Sequence, residues 1–80
     1  MTRDETTAFL RKVGAGYPEF IDRILRQDKA KETIDLWHEH LEKYTLSTVE
    51  DALKNHIRES KFAPKICEIV GRIEYEAEIF

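Results

Sequence analysis

Four stretches of the chain place apolar side chains at three- and four-residue steps, the spacing that lines one face of an α-helix. In the first stretch Phe9, Val13 and Tyr17 make the stripe, with Leu10 beside them, while Arg11 and Lys12 face water. Thr2 and Glu5 precede it at the separation that lets a hydroxyl and a carboxylate cap a helix start reciprocally. Gly14, Gly16 and Pro18 interrupt it. Phe20, Ile21, Ile24 and Leu25 then form a short apolar patch among Asp22, Arg23 and Arg26. That patch is too brief to separate a helical turn from a packed loop, so residues 18–28 remain unassigned.

The second stripe is the clearest. Asp28 is a good cap, and Ala30, Ile34, Trp37, Leu41 and Tyr44 follow it at steps of four, three, four and three. A tryptophan at the middle of such a stripe buries on the order of 200 Å² and marks the centre of the core. Ser47 and Glu50 repeat the capping spacing and introduce Val49, Ala52, Leu53, His56 and Ile57, a third one-sided pattern. The link Ser60-Lys61-Phe62-Ala63-Pro64 disfavours helix before the proline and favours a new one near Pro64. Ile66, Ile69, Val70, Ile73, Ala77 and Phe80 continue at helical spacing, with Glu68, Glu74, Glu76 and Glu78 as an acidic outer side. The pattern predicts an all-α fold, a small bundle of about four helices joined by short loops.

Composition sharpens this into one soluble unit. Eighty residues, 41% hydrophobic and 36% charged, are too few for two cores and too apolar for a disordered chain. Residues 1–80 are therefore expected to form a single helical domain, with a continuation past Phe80 left open. No run reaches the roughly 20 apolar residues a bilayer requires, and the amino end lacks the apolar stretch of a signal peptide. No membrane contact is expected, and the cytoplasm is the expected location. One cysteine, Cys67, permits neither an internal disulfide nor a structural zinc site. The net charge of −3 divides unevenly: residues 1–31 carry seven basic and five acidic side chains, residues 32–80 six basic and eleven acidic. An acidic second half points toward protein partners, and direct nucleic-acid binding is not expected.

No reacting centre can be assembled from the sequence. Gly14-Ala15-Gly16 lacks the further glycine and preceding strand of a phosphate-binding loop, and no nucleophile elbow is present. Cys67 sits among Ile66, Ile69 and Val70, where a buried or half-buried inert thiol is the ordinary outcome. His38 and His40 point about 200° apart on a helix and cannot share an ion. His38 and Glu42 do share a face, but two ligands without a third read as a surface hydrogen bond. His56, on the apolar side of its helix, reads as a partly buried, hydrogen-bonded histidine. Catalytic residues, cofactor and metal are all expected to be absent.

One polar grouping stands out. Lys54, Arg58, Lys61 and Lys65 recur at steps of four, three and four across the end of the third helix and the start of the fourth. A tight bend there makes them a basic patch in an acidic domain, the candidate partner-binding residues; otherwise they are a solvated face with a Glu50–Lys54 pair.

Several residues in this region carry a family resemblance. Tyr17-Pro18-x-Phe20, Thr33-Ile34-Asp35-Leu36-Trp37, Leu41 and Tyr44, Ala52-Leu53, His56-Ile57, and Lys61-Phe62-Ala63-Pro64-x-Ile66-x-Glu68-Ile69 resemble the phage replicative helicase loader and inhibitor family over roughly residues 17–70. The tryptophan helix followed by Lys-Phe-Ala-Pro-x-Ile is its most specific part. The resemblance implies a non-enzymatic phage adaptor in the bacterial host cytoplasm. Its partners would be the hexameric replicative helicase, whose ATPase it restrains, and a phage origin-binding protein, with which it brings the ring to origin DNA. In that family the helicase-contacting segment is associated with a flexible region after the folded domain, of which this sequence has hardly any. No partner-binding residue is therefore carried over, and the motif positions Trp37, Leu53, Phe62, Pro64 and Ile66 read as core and hinge. Two alternatives stand beside this one: a small helical DNA-binding regulator using the Lys54–Lys65 strip, and a homo-oligomeric interaction module using the terminal stripe ending in Ile79-Phe80.

Overall fold

Thr2 holds extended backbone (φ −80°, ψ 168°), its hydroxyl accepts from the Glu5 N–H at 3.1 Å, and the Glu5 carboxylate accepts from the Thr2 N–H at 2.8 Å. Two amide donors that a helix start would leave orphaned are thereby satisfied, and α1 runs Arg3–Gly16. A computed structural model describes residues 1–22 and 30–79, apart from the side chains of 76–79. The two glycines do not end α1. Its end comes at Tyr17, held at φ −135° and ψ 84° in front of Pro18, because the proline ring excludes the helical region from the residue before it. Pro18 then starts the single turn α2 (Pro18–Phe20), which carries the Phe20 ring into the core. A Cβ at Gly14 would lie 2.3 Å from Ile21 Cγ1, so this glycine is what lets the chain after α2 press against α1. Ile24, Leu25 and the expected cap Asp28 lie outside the described residues.

Helix α3 spans Ala30–Leu41 and buries Trp37 and Leu41, with Ile34 half-buried on the same side. Tyr44, expected on this helical stripe, falls beyond the helix end in the following turn; its hydroxyl donates to the Glu74 carboxylate at 3.3 Å. Helix α4 spans Leu46–Glu59, and its start corrects the expected Ser47–Glu50 cap. Thr45 is the capping residue, its hydroxyl accepting from the Thr48 N–H at 3.3 Å. Thr45 and Thr48 also stand three apart, and the earlier of two possible starts adds half a turn and frees Glu50 for other use. Helix α5 spans Ile66–Ile79, two residues later than Pro64, with the Lys65 N–H donating to the Glu68 carboxylate at 3.0 Å at its start. Phe80 and the side chain of Ala77 lie outside what is described.

Helix α1 packs against both α3 and α4, and α5 closes on α4 and α3. The core draws Phe9, Leu10 and Val13 from α1, Phe20 from α2, Trp37 and Leu41 from α3, Val49, Ala52 and Leu53 from α4, and Ile69 and Ile73 from α5. Trp37 is its hub, lying 6.0 Å from the Phe9 ring at 52° and 6.2 Å from the Phe20 ring in an edge-on approach of 83°. Ion pairs join the helices at the rim: Arg3 to Asp35 (2.6 Å), Arg72 to Glu59 (3.0 Å), and Lys12 to Glu50. All are solvent-facing, so each contributes less than about 1 kcal/mol and serves register more than stability. The radius of gyration, 12.1 Å, is that of a packed chain of this length. The expected all-α bundle is present, with α2 as an extra turn and no strand among the described residues.

Gly71 is exposed in the middle of α5, and a Cβ added there meets nothing within 4 Å. Gly71→Ala should therefore stabilise the domain by about 0.5–1 kcal/mol through helix propensity alone. A thermal melt should show the midpoint rising by about 2–8 °C; an unchanged or lower midpoint would mean that α5 does not continue through this position in solution.

Candidate partner-docking surface

The candidate cations lie where two helices meet at a corner. Lys54 and Arg58 stand one turn apart near the end of α4, Lys61 lies in the link, and Lys65 precedes α5; all four are exposed. The Glu50 carboxylate, which an isolated helix would pair with Lys54, is taken by Lys12 of α1. Lys54, Arg58 and Lys65 have no side-chain ion pair among the described residues, and the Lys61 ammonium lies 5.4 Å from the centre of the Phe62 ring. Glu59, between the cations in sequence, is held by Arg72.

The corner is built from the inside by His56, 1% exposed. Its Nε2 lies 2.8 Å from the Phe62 carbonyl oxygen. A carbonyl only accepts, so Nε2 carries the proton. The expected hydrogen-bonded histidine is thus present, though fully rather than partly buried, and it ties the last turn of α4 to the link. Nδ1 is buried with no hydrogen-bond partner among the described residues, and Glu68 Oε2 stands 3.9 Å away. Tyr17 packs edge-on against the imidazole at 6.0 Å, and its hydroxyl donates to the Ser60 carbonyl at 2.7 Å. Ser60 in turn accepts the Phe62 N–H at 3.2 Å and donates to the Phe62 carbonyl at 3.3 Å.

Of the motif residues, Trp37, Leu53 and Pro64 are buried and Ile66 packs half-buried against the core, as core and hinge residues should. Phe62 departs from that expectation: it lies in the hinge, but its ring is 69% exposed. An apolar residue outside a helix has no periodicity to assign its side. Ile57, expected on the buried side of α4, is 45% exposed: it stands on the flank of the stripe, where α1 covers it only in part, a Cβ on Gly16 lying 3.5 Å from its Cδ1. Cys67 is exposed rather than buried or half-buried, since α5 turns Ile69 and Ile73 inward and leaves position 67 outside.

Burial holds the Tyr17 phenol above its ordinary range, the nearby Glu19 and Glu68 carboxylates push the same way, and Arg72 opposes them. The folded state therefore keeps this proton more tightly than the unfolded chain, whose tyrosine titrates near 10. The associated stability is complete below that value and falls as pH rises through it toward the folded value. Alkaline unfolding should accordingly steepen above about pH 10. Tyr17→Phe should flatten that limb while costing about 1–2 kcal/mol at neutral pH for the orphaned Ser60 carbonyl. Denaturant titrations at pH 7 and above 10 check both; an unaltered alkaline limb in the variant would assign it to other groups.

His38 closes the polar account. Its Nδ1 is 2.9 Å from the Thr6 hydroxyl across the α1–α3 contact, and its Nε2 is 3.6 Å from Glu42. No three potential metal ligands cluster among the described residues, and none of their helices is long and apolar enough to cross a membrane. Fold and surface together define a small all-α bundle domain whose buried polar groups hold helices to one another. A family model for the N-terminal domain of a phage helicase loader and inhibitor matches residues 1–70, and the chain belongs to that family. The match takes in α1, ahead of residue 17 where the motifs begin. The family is not a catalytic one. No curated protein and no solved structure matches the chain.

Proposed function

We propose that residues 1–80 act as one non-enzymatic adaptor domain that binds the hexameric replicative helicase in the bacterial host cytoplasm, restrains its ATPase and helps a phage origin-binding protein bring the ring to the phage origin. Membership of the helicase loader and inhibitor family over residues 1–70 is the observation that carries this reading. Lys54, Arg58, Lys61 and Lys65 are the candidate partner-binding residues, exposed at a corner whose backbone is fixed from within. The adaptor itself requires no chemistry. A ligand that prefers one state of a ring ATPase shifts its population by the difference in affinity, and about 1.4 kcal/mol is a factor of ten.

Purified chain added to the cognate helicase should lower ATP turnover in a saturable way. Unchanged turnover at saturating adaptor, with binding demonstrated in the same samples, would remove the inhibitory half of the proposal.

A further inference from the structure

We infer that Phe62 is an aromatic anchor that the α4–α5 corner presents to a protein partner, seating its ring in an apolar pocket rimmed by carboxylates. This rests on the adaptor reading and names the contact through which it would work. Singly exposed apolar residues are common and by themselves carry no meaning. Phe62 differs in how its backbone is held. Its carbonyl accepts from His56 Nε2 at 2.8 Å and from the Ser60 hydroxyl at 3.3 Å, and its N–H donates to Ser60 at 3.2 Å. His56 is fixed in turn by the core, and the Ser60 carbonyl by the Tyr17 hydroxyl. The ring, 69% exposed, therefore projects from an immobilised main chain and has only two side-chain torsions to lose on docking. Ile57, 45% exposed on the last turns of α4, offers further apolar surface near the same corner.

Charge selects the partner. Lys61 lies over the Phe62 ring, Lys54 and Arg58 stand on the two preceding turns, and Lys65 opens the next helix, in a chain whose net charge is −3. An exposed ring with Lys61 over it and further cations on the segments before and after it complements an acidic rim around an apolar pocket, the arrangement in which a central aromatic supplies affinity and the rim supplies rate. A nucleic-acid strand fits less well, because holding one takes a basic groove that tracks its backbone, and this chain carries a net charge of −3. One ring also offers only a single stacking step.

The test is binding of labelled full-length chain to the cognate hexameric helicase, followed by anisotropy, with a single-stranded oligonucleotide as the second probe. Phe62→Ala should weaken helicase binding about thirtyfold or more, the loss that marks an interface hot spot. Its thermal midpoint should stay within about 2 °C, since the truncated ring is largely in solvent. Phe62→Leu should fall between alanine and wild type. Arg58→Glu with Lys61→Glu should slow association and reduce its salt dependence while changing dissociation little. Wild-type affinity in Phe62→Ala overturns the anchor while leaving the adaptor reading intact. Wild-type chain that ignores the helicase overturns both. Tighter binding of the oligonucleotide than of the helicase, abolished by Phe62→Ala, replaces the protein pocket with base stacking. Concentration-dependent self-association abolished by the same change replaces it with a second copy of the chain.

Discussion

Trp37→Ala should destabilise the domain by about 3–5 kcal/mol, the cost of truncating a large buried aromatic. Trp37 is 4% exposed and is the ring that Phe9 of α1 and Phe20 of α2 both approach. Its removal leaves a cavity between α1, α2 and α3 that none can close alone: α1 is also packed against α4, and Phe20 sits in a proline-fixed turn. A domain of this size has a stability of about 4–12 kcal/mol, at roughly 0.05–0.15 kcal/mol per residue, so the loss is a large share of the whole. Urea unfolding followed by circular dichroism measures it, since the variant lacks the indole fluorophore. Trp37→Phe should cost less by filling part of the space. A loss below about 1 kcal/mol for alanine would show that the rings do not pack in solution as described.

His56→Ala should cost about 2–4 kcal/mol, a cavity contribution together with a weakened acceptor. The side chain is almost wholly buried, stacks edge-on with Tyr17 and supplies the shorter of the two hydrogen bonds to the Phe62 carbonyl. The Ser60 hydroxyl still reaches that oxygen at 3.3 Å, so most of the loss should come from packing. His56→Phe separates the two contributions by restoring volume without the donor, and it should recover part of the stability. Hydrogen exchange gives a local signature that a general loss of packing would not: amides of the Ser60–Lys65 link should exchange faster relative to those of α1 in the alanine variant. Uniform acceleration across the chain would assign His56 a core role only.

The four long helices were legible because each solves its burial problem locally. An apolar stripe at helical spacing has one face to hide whatever it packs against, and a threonine three residues before a glutamate satisfies its amides with no help from the rest of the chain. Phe9, Trp37, Leu53 and Ile69 are buried for that reason. The start of α4 differs from the expected one because Thr45–Thr48 and Ser47–Glu50 are both acceptable locally; Thr45 caps the helix, and Glu50 pairs with Lys12 across the α1–α4 contact. Family membership was readable for a different reason: the tryptophan helix and the Lys-Phe-Ala-Pro link combine several residue types at a fixed separation, and the family match covers both.

The sequence by itself determined the four long helices, the hydrogen-bonded state of His56, and a kinship legible from about residue 17 onward, which the family match extends to residues 1–70. Tertiary structure alone decided which way Phe62, Ile57 and Cys67 face. Phe62 stands in a link with no repeating period, and Ile57 and Cys67 occupy flanking positions of their helices, so a side chain there is covered or bared according to what packs beside it. That depends on contacts between residues far apart in the chain, such as Tyr17 with Ser60 and Gly16 with Ile57, which no local pattern records.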